Sequence, residues 1–311
     1  MKPVRIATRG SKLALWQANY LRDALMQKCG VAADIVVIRT SGDQHLDLPI
    51  AQLGMKGVFT KELEVALLDG RAEVAIHSMK DVPTELSDVC PVLIVFKRED
   101  PRDVLISRMG AKLMELGAGA RVGTSSLRRA SQLRKVRPDL QLVEIRGNVD
   151  SRIRKLDQGE YDALVLARAG VVRLGLNARI TEVISPEIVL PAVGQGALGV
   201  QFFETNWDEL QFLKKLEDPE TMLAVTAERA LMAELHGGCR LPLGAWARFD
   251  GATMNLDACV LSDDGLQIVR GRASRRCENG REATELGRSV AQEMLAAGAD
   301  KILQAAGRTV A

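Results

Sequence analysis

Strand and helix patterns alternate along roughly the first 200 residues of this 311-residue chain. The run VRIAT at 4–8 is typical of a buried strand, and residues 11–27 then place apolar side chains at helical spacing. The alternation returns from residue 120 in ARVGT, SLRRASQLRKV, LQLVEIR, DSRIRKLDQG and YDALVLA. This pattern predicts α/β structure, with parallel sheets covered by helices on both faces.

Beyond about residue 219 the pattern changes. A long helical stretch is followed by three alternating segments, LGAWARF, TMNLDACVLS and LQIVRGRAS, and then by an amphipathic helix. This order predicts a small α+β domain with an antiparallel three-stranded sheet. Two junctions, REDPRD at 98–103 and SPEIVLPAVGQG at 185–196, interrupt the α/β region.

Charge and cysteine content exclude several classes of protein. With 42 Lys and Arg against 40 Asp and Glu, the net charge of +2 makes no case for a nucleic-acid partner. No apolar run approaches the roughly 20 residues of a membrane helix, and MKPVRIATRG has no signal-peptide core, so we expect a cytoplasmic protein without a membrane partner. Five cysteines without a C-x-x-C pair argue against a disulfide framework and a metal site.

The segment RVGTSSLRR at 121–129 predicts an anion site. It places Thr124, Ser125 and Ser126 between a strand and a helix, with Arg128 and Arg129 in the first helical turn. Free backbone N–H groups attract an anion there, and arginines grip carboxylates or phosphates in a bidentate manner. The alternative is a helix cap followed by solvated arginines, but cations in a first turn oppose the helix dipole unless something negative is near.

Other cations recur at the ends of strands. Arg9 and Ser11 occupy a similar strand-to-helix turn in ATRGSKLALWQ, and Arg146, Arg152 and Arg173 follow later strands. In open α/β sheets, ligands bind beyond the carboxyl ends of the strands. The set therefore predicts a ligand that carries several carboxylates or phosphates.

The segment AIHSMKDVPTE at 75–85 brings Lys80 and Asp81 to the end of a strand that Pro83 breaks. One interpretation is a salt bridge. The other is a carboxylate that its lysine keeps ionised and that stabilises a developing cation. His77 fits a core histidine better than a catalyst.

The segment VGQGALG at 193–199 contains G-x-G-x-x-G, the pattern of dinucleotide-binding loops. Its context favours a tight loop between domains, because it leads into VQFF, a strand pattern, where the dinucleotide motif requires a helix. A nicotinamide-dependent dehydrogenase is the weaker alternative that this segment leaves open.

Cys239 lies in ELHGGCRLPLG, after two glycines and before Arg240. An accessible turn with a cationic neighbour favours a thiolate. The ordinary alternative, a small buried hydrophobe, suits Cys29, Cys90 and Cys259. No motif pairs Cys239 with one of the three histidines, so a Cys–His nucleophile is not predicted.

Eight segments together resemble the porphobilinogen deaminase (hydroxymethylbilane synthase) family. They span nearly the whole chain in the family's order: RIATRGSKLALWQ, GMKGVFTKELE, AIHSMKDVPTE, REDPRD, VGTSSLRR, IRGNVDSRIRKLD, LPAVGQGALG and GGCRLPLG.

The resemblance implies two periplasmic-binding-protein-like α/β domains around a cleft, and a small α+β C-terminal domain. The expected limits are 1–98 with 195–216, 99–194, and 217–311. It also implies a dipyrromethane cofactor that is attached to Cys239 by a thioether bond. The expected reaction condenses four porphobilinogen molecules into hydroxymethylbilane and releases ammonia. The expected oligomeric state is a monomer.

By the same resemblance, Asp81 would be the catalytic carboxylate, and Lys56 and Phe59 would belong to a mobile lid. The expected cofactor-binding residues are Cys239, Lys80, Asp81, Thr124, Ser125, Ser126, Arg128, Arg129, Arg146 and Gly147. The expected substrate-binding residues are Arg9, Ser11, Arg152, Arg173 and Gln195. A non-catalytic anion receptor is the alternative from another class, because a pair of α/β domains with arginines would serve a solute-binding protein equally well.

Overall fold

A computed structural model describes residues 2–40, 60–84, 87, 89–235 and 241–305. The chain forms two compact units, one of Met1–Arg98 with Ala197–Met222 and the other of Glu99–Gly196 with Leu223–Ala311. The three-domain limits expected above stay a prediction. None of the helices in the described ranges is long and apolar enough to span a membrane.

The first unit is built on one sheet with the strand order β2-β1-β3-β10-β4. Its strands are β1 (Val4–Thr8), β2 (Ala33–Val37), β3 (Val74–Ser78), β4 (Val92–Val95) and β10 (Leu198–Phe202). Its helices are α1 (Lys12–Ala24), extended by a π turn at Leu25–Cys29, α2 (Lys61–Leu68) and the short α6 (Trp207–Leu210).

Alternate residues of β1 and β3 serve opposite faces of this sheet. Ile6 and Ile76 belong to one buried cluster, which includes Leu21 of α1. Ala7 and Ala75 belong to another, which includes Leu63 of α2. Helices therefore cover both faces, as the sequence predicts.

The second unit contains a sheet with the strand order β7-β6-β8-β5-β9. Its strands are β5 (Asp103–Ser107), β6 (Arg121–Gly123), β7 (Gln141–Val143), β8 (Ala163–Ala167) and β9 (Glu182–Val183). The helices between them are α3 (Leu127–Val136), α4 (Val149–Asp157) and α5 (Arg168–Arg173).

Both sheets are mixed: the predicted parallel pairing is found for β1 with β2 and β3 and for β6 with β7 and β8, but not for β10 and β5. Strand β10 runs antiparallel to β3 and β4, and β5 runs antiparallel to β8 and β9. Each is the first strand after the chain passes from one unit to the other. Such a strand is not joined to its neighbours by the crossover helix that a parallel connection needs, so its direction is not fixed by strand–helix alternation.

The C-terminal part of the second unit has the predicted α+β composition. Helix α7 (Pro219–Glu234) begins in the first unit and continues into the second. It precedes an antiparallel sheet of β11 (Leu243–Asp250), β12 (Thr253–Leu261) and β13 (Ile268–Arg276). Helices α8 (Gly280–Ala296) and α9 (Ala299–Ala305) follow. Gly287 lets α8 approach α7, because a Cβ there would lie 2.2 Å from the carbonyl oxygen of Ala227.

Candidate active site

A pocket in the first unit lies where β1 and β3 end. Because these strands are parallel neighbours, the segments that follow them meet at one edge of the sheet. The residues of this first-sheet pocket include Arg9, Ser11, Thr60, His77, Ser78 and Asp81. The structure thus brings Arg9, Ser11 and Asp81 together, although they come from two distant sequence segments.

Ser11 caps helix α1. Its hydroxyl accepts a hydrogen bond from the N–H of Ala14, at 3.3 Å. The first turn of α1 contains no acidic side chain, so the positive end of the helix dipole and Arg9 both favour an anion at this place.

Asp81 ends a short 3₁₀ turn, Met79–Asp81, that directly follows β3. Its side chain is exposed, and no hydrogen bond or ion pair joins it to the part of the chain that the structure describes. The predicted Lys80–Asp81 ion pair is therefore not formed, because adjacent residues in a helical turn point in different directions. The pocket thus holds a carboxylate that is not paired with any described residue.

His77 lies beneath the pocket in a buried polar network. Its Nε2 atom is 3.0 Å from Oε1 of Gln201, and the amide nitrogen of Gln201 donates to Oε1 of Glu64 at 2.7 Å and to the carbonyl of Cys90 at 3.0 Å. Burial lowers the pKa of His77 to about 4, since the imidazolium form would be poorly solvated there. The imidazole is neutral at physiological pH.

In the second unit, three hydroxyl groups order the turn between β6 and α3. Ser126 caps α3 by accepting from the N–H of Arg129 at 3.5 Å, and the Thr124 hydroxyl accepts from the N–H of Ser126 at 3.2 Å. The Ser125 hydroxyl donates to the carbonyl of Ile145 and accepts from its N–H. The turn is thereby fixed to the segment after β7.

Arg128 and Arg129 are buried, and both bind Asp103, the first residue of β5. Nη1 of Arg128 lies 2.7 Å from one carboxylate oxygen, and Nη2 of Arg129 lies 2.7 Å from the other. Burial alone would raise the pKa of Asp103, but the two guanidinium groups hold it well below its usual range. Two cations on one anion leave a net positive charge inside the protein.

Gln195 joins the same cluster. Its amide nitrogen lies 3.0 Å from Asp103 Oδ1 and also donates to the carbonyl of Pro101. The glycine pattern around it forms a turn, with positive φ angles at Gly194 and Gly196, and leads into strand β10. The predicted tight loop is confirmed, and the helix that a dinucleotide motif needs is replaced by a strand.

Arg152 adds a further cation near Arg129 and Arg146. It donates to the carbonyl of Gly147 at 2.7 Å, and burial, together with the charges of Arg129 and Arg146, lowers its pKa to about 10. Arg146 itself binds Glu144 at 2.7 Å. A guanidinium group whose pKa is lowered by burial and by neighbouring cations favours an anionic ligand.

The remaining predicted residues divide into two groups. Arg173 donates to the carbonyl of Gly196 at 2.7 Å. Cys239, Lys56 and Phe59 lie outside the described residues.

The four described cysteines are poor nucleophiles. Cys90, Cys259 and Cys277 are buried and Cys29 is half-buried. Burial raises the pKa of all four thiols, that of Cys259 to about 11. The prediction of a small buried hydrophobe is confirmed for Cys90 and Cys259, whereas Cys29 is only half-buried. Among the described residues, no three His, Cys, Asp or Glu side chains are placed to share a metal ion.

Sequence reasoning missed Asp103 and Gln201. Asp103 is the first residue of the apolar run DVLIS, which predicts that its carboxylate is buried with the strand. A buried carboxylate needs a cationic partner, so this position could have indicated the ion pairs with arginine. Gln201 lies inside the strand LGVQF, whose residues are all buried, and a buried glutamine indicates hydrogen-bond partners inside the protein.

Two family models match this chain. The first, described as porphobilinogen deaminase, dipyromethane cofactor binding domain, matches residues 4–210, and the second, porphobilinogen deaminase, C-terminal domain, matches residues 222–296. The chain belongs to the porphobilinogen deaminase family. Its activity is therefore that of a transferase of tetrapyrrole (haem) biosynthesis: it condenses four porphobilinogen molecules into hydroxymethylbilane, releases ammonia, and uses a dipyrromethane cofactor as primer. The assignment excludes the dehydrogenase and the non-catalytic receptor.

Several solved structures share a distant similarity with this porphobilinogen deaminase family member. The BvgS VFT2 domain of Bordetella pertussis is 14% identical, with a TM-score of 0.41 over 68% of this chain and 85% of that domain. A periplasmic substrate-binding protein of an ABC transporter from Coxiella burnetii is 15% identical, with a TM-score of 0.42 over 73% of this chain and 96% of its own.

Proposed function

We propose that the first-sheet pocket is the reaction centre and that Asp81 is its catalytic carboxylate. The observation that carries this proposal is the exposed Asp81 carboxylate, which no described residue pairs with, in a pocket shared with Arg9 and Ser11. As ammonia leaves porphobilinogen, positive charge develops on the substrate pyrrole. At about 4 Å and an effective dielectric constant near 20, one carboxylate stabilises a unit cation by roughly 4 kcal/mol.

The arginines bind the acetate and propionate groups of substrate and cofactor in this proposal. Support comes from the charge balance around α3 and α4: Asp103 neutralises only one of the buried pair Arg128 and Arg129, and neighbouring cations lower the pKa of Arg152. A ligand with several carboxylates fits such a donor set. The proposed ligand-binding residues are Arg9, Ser11, Lys80, Thr124, Ser125, Ser126, Arg128, Arg129, Arg146, Gly147, Arg152, Arg173 and Gln195.

The dipyrromethane cofactor is attached to Cys239 in this proposal. Its support is the sequence GGCR, together with the raised pKa values of the other four thiols, which make them poor attachment points. When bound, the cofactor supplies a pyrrole carbon to which the first substrate unit is joined. The protein's part is to hold the cofactor's carboxylates and to keep the reacting carbon near Asp81.

Intact-mass measurement tests the attachment. The purified wild-type chain is expected to weigh more than its sequence by one dipyrromethane and to give the pyrrole colour reaction with an acidic aldehyde. Cys239→Ser is expected to show the bare mass and no colour. Cys29→Ser is the control, because a serine hydroxyl can keep the contact of that thiol with the carbonyl of Phe212. Pigment on Cys239→Ser, or a bare wild-type chain that still turns over porphobilinogen, contradicts the attachment.

We also propose that the enzyme works in the cytoplasm as a monomer, with porphobilinogen as its small-molecule partner and without nucleic acid or membrane. The near-neutral net charge of +2 supports the absence of a nucleic-acid partner, and the shortness of the apolar runs supports the absence of a membrane one. The monomer is what the family resemblance implies. Sedimentation velocity at micromolar concentration is expected to give one species of monomer mass. A concentration-dependent shift to twice that mass would contradict it.

A further inference from the structure

We propose that His77 binds the ammonium group of porphobilinogen through Nδ1, as a neutral partner to the Asp81 carboxylate. The inference rests on the proposed reaction centre, because both residues line the first-sheet pocket. It assigns a substrate contact to a residue whose sequence context predicts only a core histidine.

The position of His77 combines burial with access to the pocket. The residue is 6% exposed and lies in β3, on the face of the sheet that α2 covers. Ser78 and Thr60 line the same pocket. A buried polar ring beside a ligand pocket needs a hydrogen-bond partner on each of its two nitrogens.

The Gln201 network decides which ring nitrogen carries the proton. The Gln201 amide must place its nitrogen toward Glu64 and the Cys90 carbonyl, because both of those groups are acceptors. Its oxygen then faces His77 Nε2 at 3.0 Å and can only accept. The proton of the neutral imidazole therefore lies on Nε2, and Nδ1 presents a lone pair.

Nδ1 has no hydrogen-bond donor among the residues that the structure describes. A ligand or solvent in the pocket can supply that donor. Of the groups on porphobilinogen, the ammonium offers three donors, and a neutral acceptor beside Asp81 attracts this cation without repelling it. The low pKa of His77 preserves this acceptor across the physiological range.

Two substitutions separate the contact with Gln201 from the contact with the substrate. His77→Gln places an amide N–H near the position of Nε2, so it keeps the bond to Gln201 and removes the acceptor at Nδ1. His77→Asn places an amide oxygen near the position of Nδ1, so it keeps the pocket acceptor and loses the bond to Gln201. A purely structural histidine would be replaced better by Gln, and a substrate-binding one better by Asn.

We expect His77→Gln to melt near the wild-type temperature but to lose about 10- to 100-fold in kcat/KM, the usual effect of one charge-assisted hydrogen bond. We expect His77→Asn to melt at a lower temperature and yet to recover most of that loss. The pH profile of His77→Gln between pH 6 and 9 is expected to keep the wild-type shape, since a neutral histidine contributes no ionisation there.

A substrate analogue gives a readout that does not depend on turnover. In this analogue, a methyl group replaces the aminomethyl group of porphobilinogen. The inhibition constants of this analogue for wild type and His77→Gln are expected to agree within about twofold. The analogue has no ammonium group, so the contact with residue 77 is absent from both complexes. A loss of analogue affinity that equals the loss in kcat/KM would show that His77 does not recognise the ammonium.

Higher activity in His77→Gln than in His77→Asn would overturn the inference, as would an unchanged kcat/KM in His77→Gln. These failures differ from failure of the reaction centre itself. If His77→Gln behaves as wild type while Asp81→Asn is inactive, only the histidine contact is wrong. If Asp81→Asn is active, the pocket is not the reaction centre.

Discussion

Asp81→Asn is expected to lower kcat by about 10²- to 10³-fold while the dipyrromethane cofactor stays attached. The substitution keeps the size of the side chain and removes its negative charge, which the developing substrate cation needs. Because Asp81 makes no hydrogen bond or ion pair with the described residues, the melting temperature should stay near that of the wild type. Porphobilinogen consumption, intact mass and thermal melting measure the three quantities on one preparation.

Asp69→Asn is the matched control in the same unit. Asp69 is exposed at the end of α2, and its carboxylate lies 3.5 Å from Arg71, outside the pocket. This variant should consume porphobilinogen at the wild-type rate. A rate for Asp81→Asn within about threefold of the control would remove Asp81 from the chemistry.

Asp103→Asn should have the largest effect on stability. The substitution leaves Arg128 and Arg129 buried beside each other without an anion, and breaking a buried ion pair in this way costs about 3–5 kcal/mol. Arg129→Gln should cost less, because it leaves one cation paired with one anion. Urea unfolding curves of the wild type, Arg129→Gln and Asp103→Asn give their order of stability.

Asp139→Asn provides the control for this stability measurement. Asp139 also binds one arginine through two bonds, at 2.8 and 2.7 Å, but it lies at the surface, so its loss should change the unfolding midpoint little. Equal midpoints for Asp103→Asn and Asp139→Asn would contradict the buried ion cluster.

The pH dependence of unfolding has a definite sign at Asp103. Its pKa is lowered in the folded protein, so its stabilisation is fully present above the ordinary aspartate value of about 3.9 and is lost as the pH falls toward the folded value. Unfolding free energy should therefore fall more steeply below about pH 4 in wild type than in Asp103→Asn.

The sequence predicts most elements of the fold because apolar periodicity is a local signal. Strand β1 and helix α3 were expected at 4–8 and 126–136 and are found at Val4–Thr8 and Leu127–Val136. Strand direction is not local. The antiparallel direction of β5 and β10 depends on pairing with strands distant in sequence, so it could not be predicted from alternation.

The candidate site was predictable to a similar degree. Arg128 and Arg129 do lie in the first turn of a helix after a strand, as the sequence indicates. Their hydrogen bonds with Asp103 join residues 25 and 26 positions apart, which the pattern around the helix cannot reveal. The predicted ion pair between Lys80 and Asp81 is wrong for the opposite reason, because closeness in sequence does not bring two side chains together in a turn.

The position of β10 has a consequence for how the chain folds during synthesis. This strand lies between β3 and β4, yet it is translated only after the whole second α/β sheet, whose strands β5 to β9 follow one another along the chain. At about 5–20 residues per second, a ribosome needs about 5 to 20 seconds to travel from β4 to β10. During that time β3 and β4 expose unpaired edges, which are sites of aggregation. We therefore expect the later-synthesised α/β sheet to fold before the N-terminal one.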